Sequence, residues 1–175
     1  AGSLMLDFDV IADFTDYYRE LDIEKAVALT RFKANGVEYT RESFVSFADQ
    51  LIIMRITASE KKSISFKAHY DLPYREDRIQ DRTSGLMEGG KAGIMLLTCK
   101  GDDHEGIEGK ILFTDFSLIQ AEGGLVMSGD GNISVSDADA VTIYISIGTN
   151  FVNYQDVSGD NVKKASEPIG KYLDN

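Results

Sequence analysis

The chain has 175 residues, 43% of them apolar and 27% charged, an ordinary globular composition that suits one domain with a sizeable core and argues against disorder. Its formal net charge of −11 excludes nucleic acid and anionic membrane surfaces as partners, because both demand clustered Lys and Arg. A neutral sugar or another protein surface stays compatible, and no apolar run approaches the roughly eighteen residues of a membrane span.

The dominant pattern is β. "KAVALTRFKANGVEYTRESFVSF" holds two alternating runs around Asn35-Gly36, a dipeptide that accepts the positive φ angles of a type I′ turn and so predicts a hairpin. Its second arm runs from Val37 to about Phe47. Asp49-Gln50 turns into "LIIMRITA", a strand ending near Ala58, and "SEKK" is a polar turn. In "SISFKAHY", Ile64, Phe66 and Ala68 share one face, and Ser65, Lys67 and His69 the other.

Asp71–Gly93 is polar, carries Pro73 and shows little period; it reads as a long excursion with a short strand around Leu86. Strands resume at "IMLLTC". After the acidic "KGDDHEGIEGK" come "KILFTDFSLIQ", "GLVMSG", "NISVSD" and "AVTIYISIG", separated by short Gly- and Asp-rich turns. About ten strands with hardly any helical period predict an all-β fold, an antiparallel two-sheet β-sandwich. The tail, "SGDNVKKASEPIGKYLDN", has cap-like Ser158 and Asp160 and predicts a short helical piece that Pro168 would interrupt. The expected division is a sandwich domain over 1–160, with 161–175 beginning a linker.

Chemistry is sparse. Cys99 is the only cysteine and sits in an apolar run, so it reads as a buried, inert thiol. The only histidines, His69 and His104, stand alone, which rules against a zinc site. Asp102, Asp103, Glu105 and Glu108 do not follow the EF-hand spacing, leaving a loose calcium site as the alternative to a solvated strand connection. Asp102 with Glu105 makes a poor glycosidase pair, because neighbouring acids on one loop do not set the separation that such chemistry needs. No Gly-x-Ser-x-Gly elbow or phosphate loop is present, so neither cofactor nor metal is expected. Tyr17, Tyr18, Tyr74 and Tyr154 are candidates to stack on a sugar, although strand aromatics are usually core.

Two long patches resemble a known family. "DYYRELDIEKAVALTRFKANGVEYTRESFVSFADQLIIMRITA" is similar to the N-terminal domain of glycoside hydrolase family 95, and so are "GDDHEGIEGKILF", "AEGG" and "DADAVTIYISIGTNFVNYQDVSGD". The likeness runs over most of Leu4–Asp160. It implies a parent that is a multidomain exo-glycosidase, chiefly an inverting 1,2-α-L-fucosidase or an α-L-galactosidase, with an N-terminal sandwich followed by an (α/α)6 helical barrel. In that family the barrel supplies the acid and the water-activating residues, and none of those motifs occurs here.

The resemblance therefore predicts a non-catalytic domain, inactive by itself, whose partner is the helical-barrel domain of the same parent. Fucosylated glycans are a further candidate partner. No leader pattern opens the sequence, and the front lacks a stretch that the family carries, so the chain reads as an excised piece. An exposed sheet edge then predicts dimerisation. Export of the parent to the periplasm or beyond follows from the family's substrates. Asp103, His104 and Glu105 are expected to contact the barrel or wall its pocket. The alternatives are a stand-alone carbohydrate-binding module and a purely structural one.

Overall fold

The computed structural model describes residues 2–8, 13–72 and 76–173. Pro73 and Tyr74 lie outside the described residues. Among the described residues twelve strands are present: β1 (Ser3–Phe8), β2 (Phe14–Asp22), β3 (Val27–Ala34), β4 (Val37–Ser46), β5 (Leu51–Ala58), β6 (Ile64–Asp71), β7 (Ile79–Leu86), β8 (Ala92–Lys100), β9 (Leu112–Glu122), β10 (Leu125–Ser128), β11 (Asn132–Ala138) and β12 (Ala140–Thr149). One helix follows, α1 (Asn161–Gly170). The strands form an eight-stranded sheet ordered β2-β3-β4-β5-β12-β9-β8-β7 and a four-stranded sheet ordered β1-β6-β11-β10. The all-β sandwich is as expected.

The core lies between the sheets. Ile64, Phe66, Ala68 and Tyr70 of β6 and Ile133 and Val135 of β11 meet Met95, Leu97, Ile119, Val141 and Ile143 of the large sheet. The alternation read from "SISFKAHY" is the one observed, with Ile64, Phe66 and Ala68 all buried. A second apolar cluster forms on the opposite face of the large sheet, where Ala165 and Ile169 of α1 cover Leu51, Phe116 and Leu118. The central strands are thus buried on both faces, which explains their near-continuous apolar runs.

The hairpin forms as its turn chemistry demands, with Asn35 at φ 52° and Gly36 at φ 80°. Three expectations need correction. The 71–93 excursion contains the regular strand β7, paired with β8 from Ile79↔Cys99 to Leu86↔Gly93. A register shift between Ile79 and Asp81 breaks its period, and an edge strand tolerates the polar residues that hid it. Two N-terminal strands raise the count above ten; β1 alternates clearly, whereas β2 is exposed along nearly its whole length and leaves no apolar period to read.

Pro168 lies inside α1 rather than interrupting it. It removes the N–H that would bond to the Lys164 carbonyl. It sits near the helix end, where burial of Asn161, Ala165 and Ile169 along one face outweighs that loss. Asp160 is the N-cap, its carboxylate accepting from the Lys163 N–H at 2.9 Å. Gly148 lets the helix lie directly on β12: a Cβ there would stand 2.4 Å from the Asn161 carbonyl oxygen.

Candidate functional site

The acidic loop joins β8 to β9 as a narrow hairpin. Its neck is closed by the Gly101 N–H donating to the Ile111 carbonyl at 2.8 Å. Its tip is closed by reciprocal bonds between His104 and Ile107, both 2.9 Å, with Glu105 at φ 49° and Gly106 at φ 80°. Gly109 is required by close approach, since a Cβ there would meet the Asp102 carbonyl oxygen at 2.4 Å. The acids brace this scaffold. Asp103 accepts from the Gly109 N–H at 2.9 Å, and Arg78 reaches Asp102 at 3.4 Å and Asp103 at 3.8 Å. Lys100 pairs with Glu108 at 2.6 Å and holds its carboxyl below the usual range.

The three candidate residues are therefore divided. Asp103 turns back into the loop, where it fixes the backbone. His104 and Glu105 project from the tip with side chains 86% and 83% exposed and 3.8 Å apart. Among the described residues no three His, Cys, Asp or Glu side chains are grouped so as to hold a metal ion. The chemistry open to the tip is surface contact, by charge and hydrogen bonding.

Cys99 is buried, and burial pushes its thiol up. Asp115 is the one buried carboxylate that departs from the pattern. One oxygen accepts from the Gly2 N–H at 3.2 Å, the other has no hydrogen-bond partner, and desolvation raises its pKa above the ordinary aspartate value.

Three of the tyrosines proposed as sugar stackers are exposed rather than core: Tyr17, Tyr18 and Tyr154. Tyr18 is tied to Glu20 at 3.0 Å and lies under Arg31. Tyr17 joins Phe14 and Phe32 in a depression of about 200 Å³ lined by these three rings alone. The Tyr17 hydroxyl is the one hydrogen-bonding side-chain group among these three residues, so the depression offers few of the directional contacts that fix a sugar.

Sequence reasoning missed an apolar groove of about 280 Å³ at one end of the large sheet, lined by Val45, Phe47, Ile52, Ile145 and Ile147 with Ser46, Gln50 and Leu51. The available signal was a pair of apolar residues at one parity, Val45 and Phe47, running past the end of a strand. A more polar groove of about 380 Å³ lies on the opposite face of the sheet. There Arg55 bonds to Thr142 at 2.7 Å and pairs with Glu122 at 2.5 Å, holding the Glu122 carboxyl below its usual range.

Residues 1–154 match the family described as "Glycosyl hydrolase family 65, N-terminal domain". The chain is 34% identical over 167 residues to "Alpha-L-fucosidase 2" of Arabidopsis thaliana, covering 86% of this chain and 19% of that protein. A solved structure described as "Putative kojibiose phosphorylase from human microbiome" aligns over 99% of this chain and 25% of its own, at 10% identity and a TM-score of 0.45. The family match and the identity to the fucosidase bear out the expected glycoside hydrolase N-terminal domain; the family model that matches is numbered 65. This chain belongs to the glycosyl hydrolase family 65 N-terminal domain family.

Proposed function

We propose that the chain is the non-catalytic N-terminal domain of a multidomain α-L-fucosidase of the family 95 type, working by packing against a catalytic helical-barrel domain of the same parent. The carrying observation is the 34% identity to an alpha-L-fucosidase of which this chain spans 19%. The geometry is in keeping with that role. The carboxylates of the acidic loop brace the loop or project into solvent, instead of flanking a substrate cleft.

In this reading the reacting carboxylates belong to the other domain, and His104 and Glu105 at the rigid tip reach toward it. Residues 161–175 then begin the passage to that domain, and export of the parent belongs to the same proposal. The test is hydrolysis of an aryl α-L-fucoside. The full-length parent is expected to cleave it and the 175-residue chain is not. Cleavage by the short chain, or failure of the parent on α-L-fucosides, overturns the reading.

Pairing of two chains through a sheet edge is a separate proposal. Both edges of the large sheet, β2 and β7, carry register shifts that blunt them, and the small-sheet edge β10 has only 4 residues, so the straight six-residue edge strand β1 is the best template. Sedimentation at high concentration is expected to show a dimer; a lone monomer boundary ends the idea.

A further inference from the structure

The two ends of the large sheet differ in what their connections expose. At one end, Ile23 between β2 and β3, Phe47 between β4 and β5, Ile107 between β8 and β9, and Tyr154 after β12 are exposed by 87%, 88%, 73% and 87%. At the other end the described connections are Asn35-Gly36, Ser59–Ser63, Met87–Lys91, Gly123-Gly124 and Asp139, and none exposes a large apolar side chain. Scattered apolar residues are normal on a surface, and Phe14 is 63% exposed near the other end, but connections that expose large apolar tips at one end only mark a contact face.

The centre of that end is built by register. Val45 pairs with Ile52, and Ile52 with Ile145, so three apolar side chains stand in a row across β4, β5 and β12. With Phe47 and Ile147 they line the groove of about 280 Å³. Charged groups lie beside the apolar centre, at the same end of the sheet, on the braced tip of the acidic loop. An apolar centre with a polar surround is the anatomy of a protein interface.

We infer that this strand-tip face is the seat of the catalytic portion of the parent chain; the inference rests on the fucosidase reading above and adds where the two domains meet. The matched fucosidase is mostly sequence outside the span aligned to this chain, which covers 19% of it, so a partner large enough to cover the face is supplied in cis. A second copy added through a sheet edge would use the backbone of β1, β2, β7 or β10 and leave these tips bare. Within the interface Phe47 is the anchor and His104 and Glu105 belong to the polar surround.

Hydroxyl-radical footprinting of the folded, active full-length parent tests this, with each residue normalised to its labelling in the denatured chain. Phe47 and Tyr154 are expected to label severalfold less than Met127 and Leu125, which are 48% and 53% exposed here and lie on the small sheet. Equal labelling overturns the inference, and so does protection that fades on dilution, which would assign the face to a second copy. Fucoside hydrolysis measured on the same sample keeps the two proposals apart: an active parent with Phe47 labelled freely loses the interface and keeps the function. An inactive parent with Phe47 protected loses the fucosidase reading alone.

Discussion

β9 and β2 belong to one sheet and obey different rules. β9 has the interstrand core on one face and α1 on the other, and most of its residues are buried. It must therefore be apolar at both parities: Phe116 and Leu118 lie under the helix, Ile119 and Ala121 face the small sheet. Its polar residues are also forced into partnerships, Ser117 with Tyr70 at 2.7 Å and Thr114 with Thr98 at 2.8 Å and with Asn161 at 2.7 Å. β2 is held by its ladder to β3 alone, and its residues up to Leu21 are exposed. The small sheet is half the width of the large one. The covered strands carry the stability, while β2 and the strand tips beyond the small sheet are left free to make contacts; β3 and β4 still contribute Ala34 and Tyr39 to the core.

Substitutions should separate the two regions sharply. Phe66→Ala or Leu118→Ala, in the covered region, should each cost about 3–5 kcal/mol in denaturant unfolding, because both side chains are fully buried in packed surroundings. A cost below about 1 kcal/mol would mean that the covered region is loosely packed. Gly148→Ala should cost about 1–3 kcal/mol, since the new methyl group meets backbone and not a movable side chain. Amide exchange should show α1 opening while the β4–β5 ladder stays protected. Asp160→Ala, which removes only the helix cap, should cost about 1 kcal/mol.

Asp115 gives a pH signature of the covered region. Its folded pKa is raised by desolvation, so the stability it favours is present below the unfolded aspartate value and is lost as pH rises through the folded pKa. Stability measured upward from acid pH should carry this loss in the native chain, and Asp115→Asn should remove it; identical pH profiles would show that Asp115 does not titrate differently on folding. The smallest effect belongs to the overhang. Phe47→Ser in this chain should change stability by less than about 0.5 kcal/mol, as the ring touches mostly solvent. A larger loss would show that the overhang packs more tightly than its exposure indicates.

The same contrast explains what was legible in the sequence. Strands covered on one face announce themselves by period, as "SISFKAHY" does, and those covered on both faces by apolar runs such as "IMLLTC". β7 and β2 carry neither mark, because an edge strand is specified by a neighbour's open backbone more than by its own side chains. The acidic loop was visible as a cluster, but its spacing did not reveal that Arg78, far off in sequence, would turn Asp102 and Asp103 into braces. Six of the eight groove residues fall within Val45–Ile52, but the groove is completed only when register brings Ile145 and Ile147 of β12 alongside β5, which no local window shows. Pro168 shows the limit of a local rule: the sheet beneath α1 decides the outcome.

Cys99 has a practical consequence. It is the only thiol, it points into the core from β8, and both flanking strands β7 and β9 shield it. A thiol reagent can reach it only after its surroundings open, and the nearest route is the pocket of about 180 Å³ that Cys99 lines with Leu72, Arg78 and Phe113. The chain thus carries a built-in clock for its own opening: the labelling rate reports how often the covered region breathes, with no engineered probe and no disturbance of the face at the strand tips.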